Sequence, residues 1–177
     1  MTTPVVVGDP AVAAIGVVMG ALADAFDPAS DFPPENGSTD VHFFAGEGPA
    51  EAAWNAHTDE LGCDAPFLWV RVGRRFRTKN LPAVAIDNTG CQLPRAMDVE
   101  VGVVRCAVPD VDPTWDQYEA EAETSLDDSW RIELALCAAA GRLRAQGYLC
   151  APGTINAGGP EGGVIGWKAL LYVQFAN

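Results

Sequence analysis

Histidines and closely spaced cysteines are scarce in this sequence. Its 177 residues include two histidines, His42 and His57, and no C-x-x-C pair among the five cysteines. A structural zinc site or a dithiol centre needs such closely spaced ligands. A hydrolytic or metal site needs a histidine that a carboxylate orients, or several convergent ligands. We therefore expect no metal, no cofactor and no catalytic site, and interpret His57, with Asp59 and Glu60, as solvent-facing residues near a helix end.

The cysteine spacing also favours a reduced, cytoplasmic environment. The number of cysteines is odd, and no two lie within about twelve positions of each other. Cys106 and Cys137 lie in apolar runs, where a free thiol behaves as a small hydrophobic group. We therefore expect both to be free thiols that pack as small hydrophobic groups.

Basic residues are few as well. The chain has 11 Lys and Arg against 24 Asp and Glu, a net charge of −13, and the first basic residue is Arg71. A general nucleic-acid binder or a protein that docks on anionic lipid needs many cations on one face, so composition argues against both. The start of the chain carries no charged signal region, and the uncharged run 10–23 is too short to span a membrane.

The basic residues that are present are concentrated. Five of the eleven fall within nine positions: Arg71, Arg74, Arg75, Arg77 and Lys79. This segment is either an exposed strand end with solvated charges or a patch that faces an acidic protein surface, on a second copy or on another partner. A contact with DNA is the third alternative, which the net charge opposes.

Hydrophobic patterning predicts an α+β domain, with a mostly antiparallel sheet packed by an N-terminal helix and a long helix in the C-terminal half. The first helix begins at Asp9-Pro10 and ends at Asp27-Pro28. It is apolar nearly all round, so it is either a core helix or one that also touches a neighbouring subunit. We predict a single domain over 1–177, with a loop-rich insertion or extension over 27–64 that holds a short strand at 41–44 and a helix at 49–61.

Strands are predicted at 67–72, at 82–86, at 98–108 and at 167–175. The long helix begins after Thr114, which forms a capping box with Gln117, and ends near Gln146. The spacing predicts that its second half packs on the sheet through two adjacent stripes: Trp130, Leu134 and Cys137, and Ile132, Leu136 and Leu143. Asp127-Asp128 is a weak candidate for a carboxylate pair, because adjacent helical residues point about 100° apart. The acidic run 110–128 is typical of a helix start with a solvated face.

Residues 150–163 hold five glycines and predict a flexible loop between the long helix and the last strand. A phosphate-binding loop is excluded here, because such a loop follows a strand, opens a helix and usually adds a lysine. Mobile loops at a sheet edge often carry partner contacts. Gly159, Glu161, Gly162 and Gly163 are therefore interface candidates together with the basic segment.

The C-terminal half resembles the tail terminator proteins of long-tailed bacteriophages, in particular those of actinobacterial siphoviruses. The resemblance lies in the segments EVGVVRCAVP (100–109), LALCAAAGRL (134–143) and GPEGGVIGWKALLYVQF (159–175), and covers 98–177. It implies a virion protein at the head–tail junction, assembled in the host cytoplasm. It further implies a ring, typically of six subunits, that caps the tail tube, meets the head completion or stopper protein, and lets DNA pass through its lumen without specific binding.

Two alternatives stay open. Another connector, neck or stopper protein would share the size and the acidity of this chain. A small enzyme or ligand-binding domain would instead show a concave pocket with titratable groups of shifted pKa. In the terminator interpretation, the acids would face the genome channel or solvent, and the cluster at 71–79 would face protein.

Overall fold

The computed structural model describes residues 8–45, 51–63, 65–84, 92–108, 112–161 and 163–175, and it shows the predicted α+β architecture. The helices are α1 (Pro10–Ala25), α2 (Glu51–Leu61) and α3 (Trp115–Ala145). The strands are β1 (Val41–Phe43), β2 (Phe67–Arg77), β3 (Arg95–Cys106), β4 (Leu149–Glu161) and β5 (Val164–Gln174). They form one sheet in the order β1-β2-β3-β5-β4, in which β1 runs parallel to β2 and the other neighbours are antiparallel.

The two predicted helix starts are confirmed. The Asp9 side chain accepts a hydrogen bond from the backbone N–H of Ala11, and Thr114 forms the capping box with Gln117. α3 is continuous over 31 residues, a length of about 46 Å. Among the described residues, no helix is both long enough and apolar enough to cross a membrane.

The core lies between one face of the sheet and the helices α1 and α3. Alternate residues of β2, β3 and β5 point into it, including Val70, Val101 and Leu171, and they meet Leu22 of α1 and Leu136 of α3. Ile132, Leu136 and Leu143 are buried there as predicted. Trp130, Leu134 and Cys137 are exposed, so the prediction that their stripe packs on the sheet is wrong. The sheet occupies only one side of α3, and Ile132, Ala135, Leu136 and Ala139 already fill it.

The prediction of a flexible glycine-rich loop over 150–163 is also wrong. Residues 149–161 form the edge strand β4. Its backbone pairs with β5 from Leu149 opposite Gln174 to Glu161 opposite Val164, with two register shifts. The side chains of this segment have low strand propensity. Backbone hydrogen bonds to the neighbouring strand β5 nevertheless hold it in an extended conformation. The predicted strand at 82–86 is also absent: residues 82–84 lie in a turn and an irregular stretch, and 85–86 fall outside the described residues.

The second face of the sheet points away from α1 and α3. It carries Trp69, Arg71, Gly102 and Lys168. Here the indole of Trp69 lies against Gly102, where an added Cβ would be 2.2 Å from the ring. A larger residue at 102 would displace this buried tryptophan. α2 covers the part of this face nearest β1, where Trp54 packs against Phe67.

Candidate assembly interface

The basic segment 71–79 is divided between the two faces of the sheet by a β-bulge. Gly73 is the extra residue, since Val72 pairs with Val99 and Arg74 with Asp98. An added Cβ on Gly73 would lie 2.5 Å from Oδ1 of Asp98, so a larger residue would push this carboxylate away from the backbone N–H of Arg74. The bulge puts Arg71 and Arg74 on the second face, whereas Arg75 and Arg77 point to the helix side. The segment is therefore not one patch.

The two arginines on the second face are engaged within the subunit. Arg71 is buried, bonds Glu100 through Nε (3.0 Å) and Nη2 (2.7 Å), and lies over the Trp69 ring. The Nε of Arg74 donates to Asp98 Oδ2 at 2.5 Å, and its backbone N–H donates to Oδ1 of the same carboxylate. These cross-strand pairs link β2 to β3, and Arg71 offers little charge to a partner.

Arg75 and Arg77 lie next to Arg95, a residue that the sequence did not indicate as part of an interface. Arg75, Arg77 and Arg95 line a cavity of about 260 Å³ at the N-terminus of α1, together with Asp9. Arg75 Nη2 donates to Asp9 Oδ2 at 2.6 Å, and this bond is the main reason that the pKa of Asp9 is lowered. Arg95 joins the group because it pairs with Arg77 across β2 and β3, a relation that sequence spacing does not reveal.

Lys79 lies beside this group. Lys79 and Arg144 line a second cavity, of about 330 Å³, with Leu149 and Gln174 at the end of the sheet where β5 finishes. We call Arg75, Arg77, Lys79, Arg95 and Arg144 the basic end. Together they put five cations at one end of a chain whose net charge is −13.

The opposite end of the sheet is acidic. β3 spans about 36 Å from Arg95 to Cys106, at about 3.3 Å per residue. Beyond Cys106, Glu35, Glu121 and Thr124 line a cavity of about 370 Å³. The first turns of α3 add exposed carboxylates. We call Glu35, Asp112, Asp116, Glu119, Glu121 and Glu123 the acidic end.

An internal ion pair lies just below the acidic end. Arg105 donates to both carboxylate oxygens of Asp128, from Nε at 2.7 Å and from Nη2 at 2.9 Å. Burial raises the pKa of Asp128 in spite of this contact, because desolvation of the carboxylate outweighs the attraction to Arg105. Asp128 is thus a buried structural group, which corrects the prediction of a solvated face over 110–128 at this position.

A disulfide joins α2's C-terminal side to the end of β3. Cys63 and Cys106 are bonded, with their Cα atoms 5.5 Å apart. The prediction that Cys106 is a free apolar thiol is therefore wrong, as is the one that Cys137 is a buried hydrophobic group, because Cys137 is exposed. Neither result follows from spacing, since 43 residues separate the bonded cysteines. The spacing argument for a reduced compartment no longer holds.

The predicted interface residues of the glycine-rich segment lie at the acidic end, far from the basic end. Gly159 has a φ of +96° and Gly163 a φ of +76° where β4 turns into β5. Glu161 is the last residue of β4, and Gly162 lies outside the described residues. The two predicted groups of interface residues therefore lie at opposite ends of the sheet. β4 itself is an edge strand of 13 residues, long enough to accept another strand.

His57 is not solvent-facing, which corrects the sequence-based interpretation. It is buried, packs against Phe67, and its Nε2 lies 3.0 Å from the backbone oxygen of Ala65. Within the part of the chain that the structure describes, no group of three or more His, Cys, Asp or Glu side chains is placed to hold a metal ion.

Comparison with known proteins adds no family to these observations. No protein-family model matches the chain, and no curated protein matches it.

Proposed function

We propose that this protein is a structural assembly protein of a phage tail, a tail terminator whose subunits join into a ring, and that each subunit places its basic end against the acidic end of the next. The observation that carries the proposal is the separation of charge between the two ends of the sheet. Two different, complementary surfaces on one subunit favour heterologous association, which closes into a ring when the rotation between neighbours allows it.

The resemblance of residues 98–177 to tail terminators supports the site of action at the head–tail junction. In that setting the ring would cap the tail tube and contact the head completion or stopper protein. The carboxylates not used between subunits would face the lumen or solvent, where they repel the DNA backbone and prevent it from adhering. The second candidate is another connector or stopper protein, which the same two ends would serve equally well.

Electron microscopy of the purified protein, alone and with tail tubes, tests the proposal. We expect rings with a central channel, seated on tube ends. Pull-down against the tail-tube protein and against the stopper distinguishes the two candidates, because a terminator binds the tube directly. Particles that stay monomeric with tubes present, and that leave tube ends bare, would contradict the proposal.

A further inference from the structure

A small cavity lies on the second face of the sheet, where β2, β3, β5 and β4 run side by side. Its volume is about 220 Å³, and Trp69, Val104, Val164 and Lys168 line it together with glycines of β4 and β5. None of the described residues that line it belongs to the basic end or to the acidic end. The cavity is therefore a feature that the two charged ends do not explain.

Glycines form the floor of this cavity. Val104, Gly166 and Gly158 are opposite one another across β3, β5 and β4, so all three positions belong to the second face. The two glycines leave bare backbone there. A Cβ added to Gly158 would meet a single atom within 4 Å, the backbone oxygen of Gly166 at 4.0 Å, and would therefore project into open space. The depression exists because these positions carry no side chains.

One wall of the cavity carries an unused hydrogen-bond donor. Trp69 is 2% exposed, and its Nε1 is buried with no hydrogen-bond partner among the described residues. The indole reaches from β2 across Gly102 of β3, with Nε1 2.7 Å from the position of an added Cβ, so its N–H edge faces β5 and the cavity. Phe44 and the Arg71 guanidinium pack on the ring, at 5.7 Å and 5.5 Å from its centroid. A buried donor without an acceptor costs free energy, which a bound acceptor would recover.

A cation lies beside this donor. Lys168 of β5 is opposite Gly102, so it is the next side chain beyond the indole in the same row of the second face. Lys168 is exposed and lines the cavity. An indole N–H and an ammonium group at one side of an otherwise apolar cavity suit a carboxylate, because one of its oxygens accepts from Nε1 while the other faces the lysine.

We propose that this cavity binds a small carboxylic acid with a single apolar ring, the class that benzoate represents. The ring lies on the glycine floor against Val104, and the carboxylate takes the hydrogen bond of Trp69 Nε1 and the charge of Lys168. Because Nε1 is buried, the flexible stem of Lys168 moves aside to admit the ligand, as exposed side chains readily do. Pockets for drug-sized molecules measure about 300–1,000 Å³, so a cavity of about 220 Å³ selects a smaller molecule. This site is independent of the proposed function, because it uses neither charged end.

Nuclear magnetic resonance of ¹⁵N-labelled protein, titrated with sodium benzoate at constant ionic strength, tests the proposal. We expect the Trp69 indole N–H signal, identified by its absence from Trp69→Phe, to shift and to saturate with a Kd between about 0.1 and about 10 mM, a range suited to so small a ligand. Benzyl alcohol has the ring without the charge and should bind at least about tenfold more weakly. A Trp69 signal that does not respond to benzoate would overturn the proposal. Equally tight binding of benzyl alcohol would overturn the assignment of a carboxylate.

Substitutions in the cavity test where the ligand binds. Gly158→Leu puts a side chain into the cavity and should abolish the benzoate response. Ala157→Leu is the matched control, since it makes a similar change at the neighbouring exposed position on the other face of β4, and it should bind as wild type does.

Lys168→Met keeps the length of the side chain without its charge and should raise the Kd by about tenfold. Circular dichroism checks that each variant folds. A benzoate response retained in Gly158→Leu, or an unchanged Kd in Lys168→Met, would overturn the proposal. Ring formation on tail tubes is scored separately in electron micrographs. Wild-type protein that forms rings but does not bind benzoate would overturn this site alone and leave the proposed function intact.

Discussion

The arginines at the two ends of the sheet differ in their exposure to solvent. At the acidic end, Arg105 is almost fully buried and held by both oxygens of Asp128, and a disulfide closes the same region. At the basic end, Arg75 and Arg95 are exposed, and Arg75 is joined to the cap of α1 by one ion pair. The first arrangement joins β3 to α3 through buried groups, whereas the second leaves guanidinium groups accessible to a partner.

The comparison shows that buried and exposed ion pairs of this protein have different roles. Burying Arg105 and Asp128 costs desolvation that their attraction only partly offsets, so this pair is sensitive to the loss of either member. Exposed pairs contribute little to folding, typically less than about 1 kcal/mol. Substitutions in the buried Arg105–Asp128 pair should therefore lower stability, and substitutions of exposed charges at either end should affect assembly.

The largest loss of stability is expected from Asp128→Ala. It leaves the Arg105 guanidinium buried without an anion, so the free energy of unfolding should fall by about 3–5 kcal/mol in urea titration. The double variant Arg105→Met, Asp128→Leu is the control. It should recover most of that loss, because apolar groups of similar volume replace the pair. A single variant within about 0.5 kcal/mol of wild type would show that the pair does not matter.

The disulfide should have the next largest effect. Cys63→Ser with Cys106→Ser opens a loop closed across 43 residues, which should lower the free energy of unfolding by about 2–4 kcal/mol. Guanidinium denaturation with and without a reductant provides the measurement. Reductant should destabilise wild type and leave the double variant unchanged. If wild type is equally stable in both conditions, the bond contributes nothing to the fold.

The smallest effect on stability is expected at the basic end, from Asp9→Asn. Asparagine still caps α1, so the variant removes only the attraction to Arg75, worth about 0.5 kcal/mol at neutral pH. The pKa of Asp9 is lowered in the folded state, mainly by the bond from Arg75. The contribution is therefore present above the unfolded-state pKa and is lost as pH falls through the folded-state pKa. The difference in stability between wild type and variant should disappear in acid. A difference that grows in acid would contradict this assignment.

The sequence predicted the helices best. Asp9 and Thr114 are local caps, and local hydrogen bonds are readable from neighbouring residues. It failed where distant backbone decides the outcome. β4 forms because β5 lies beside it, and its glycines and Pro152 gave no strand pattern. Trp130 and Leu134 have the spacing of a core stripe, but no element covers them among the described residues.

The candidate interface was predicted only in part, for a similar reason. The concentration of charge at 71–79 is visible in the sequence, but the bulge at Gly73 that divides it between two faces is not. Arg95 and Arg144 reach the basic end through strand pairing and through the C-terminus of α3, from positions remote in sequence. The disulfide between Cys63 and Cys106 is equally non-local.

Charge reversal at the basic end tests the central claim most directly. Lys79→Glu with Arg95→Glu should abolish ring formation on tail tubes in electron micrographs, while circular dichroism shows that the variant folds. Lys168→Glu, an exposed reversal on the second face, is the matched control and should assemble normally. Mixing the reversed protein with a Glu35→Lys, Asp112→Lys variant should restore contacts between unlike subunits. Normal rings from the Lys79→Glu, Arg95→Glu protein would contradict the claim that oppositely charged ends join the subunits.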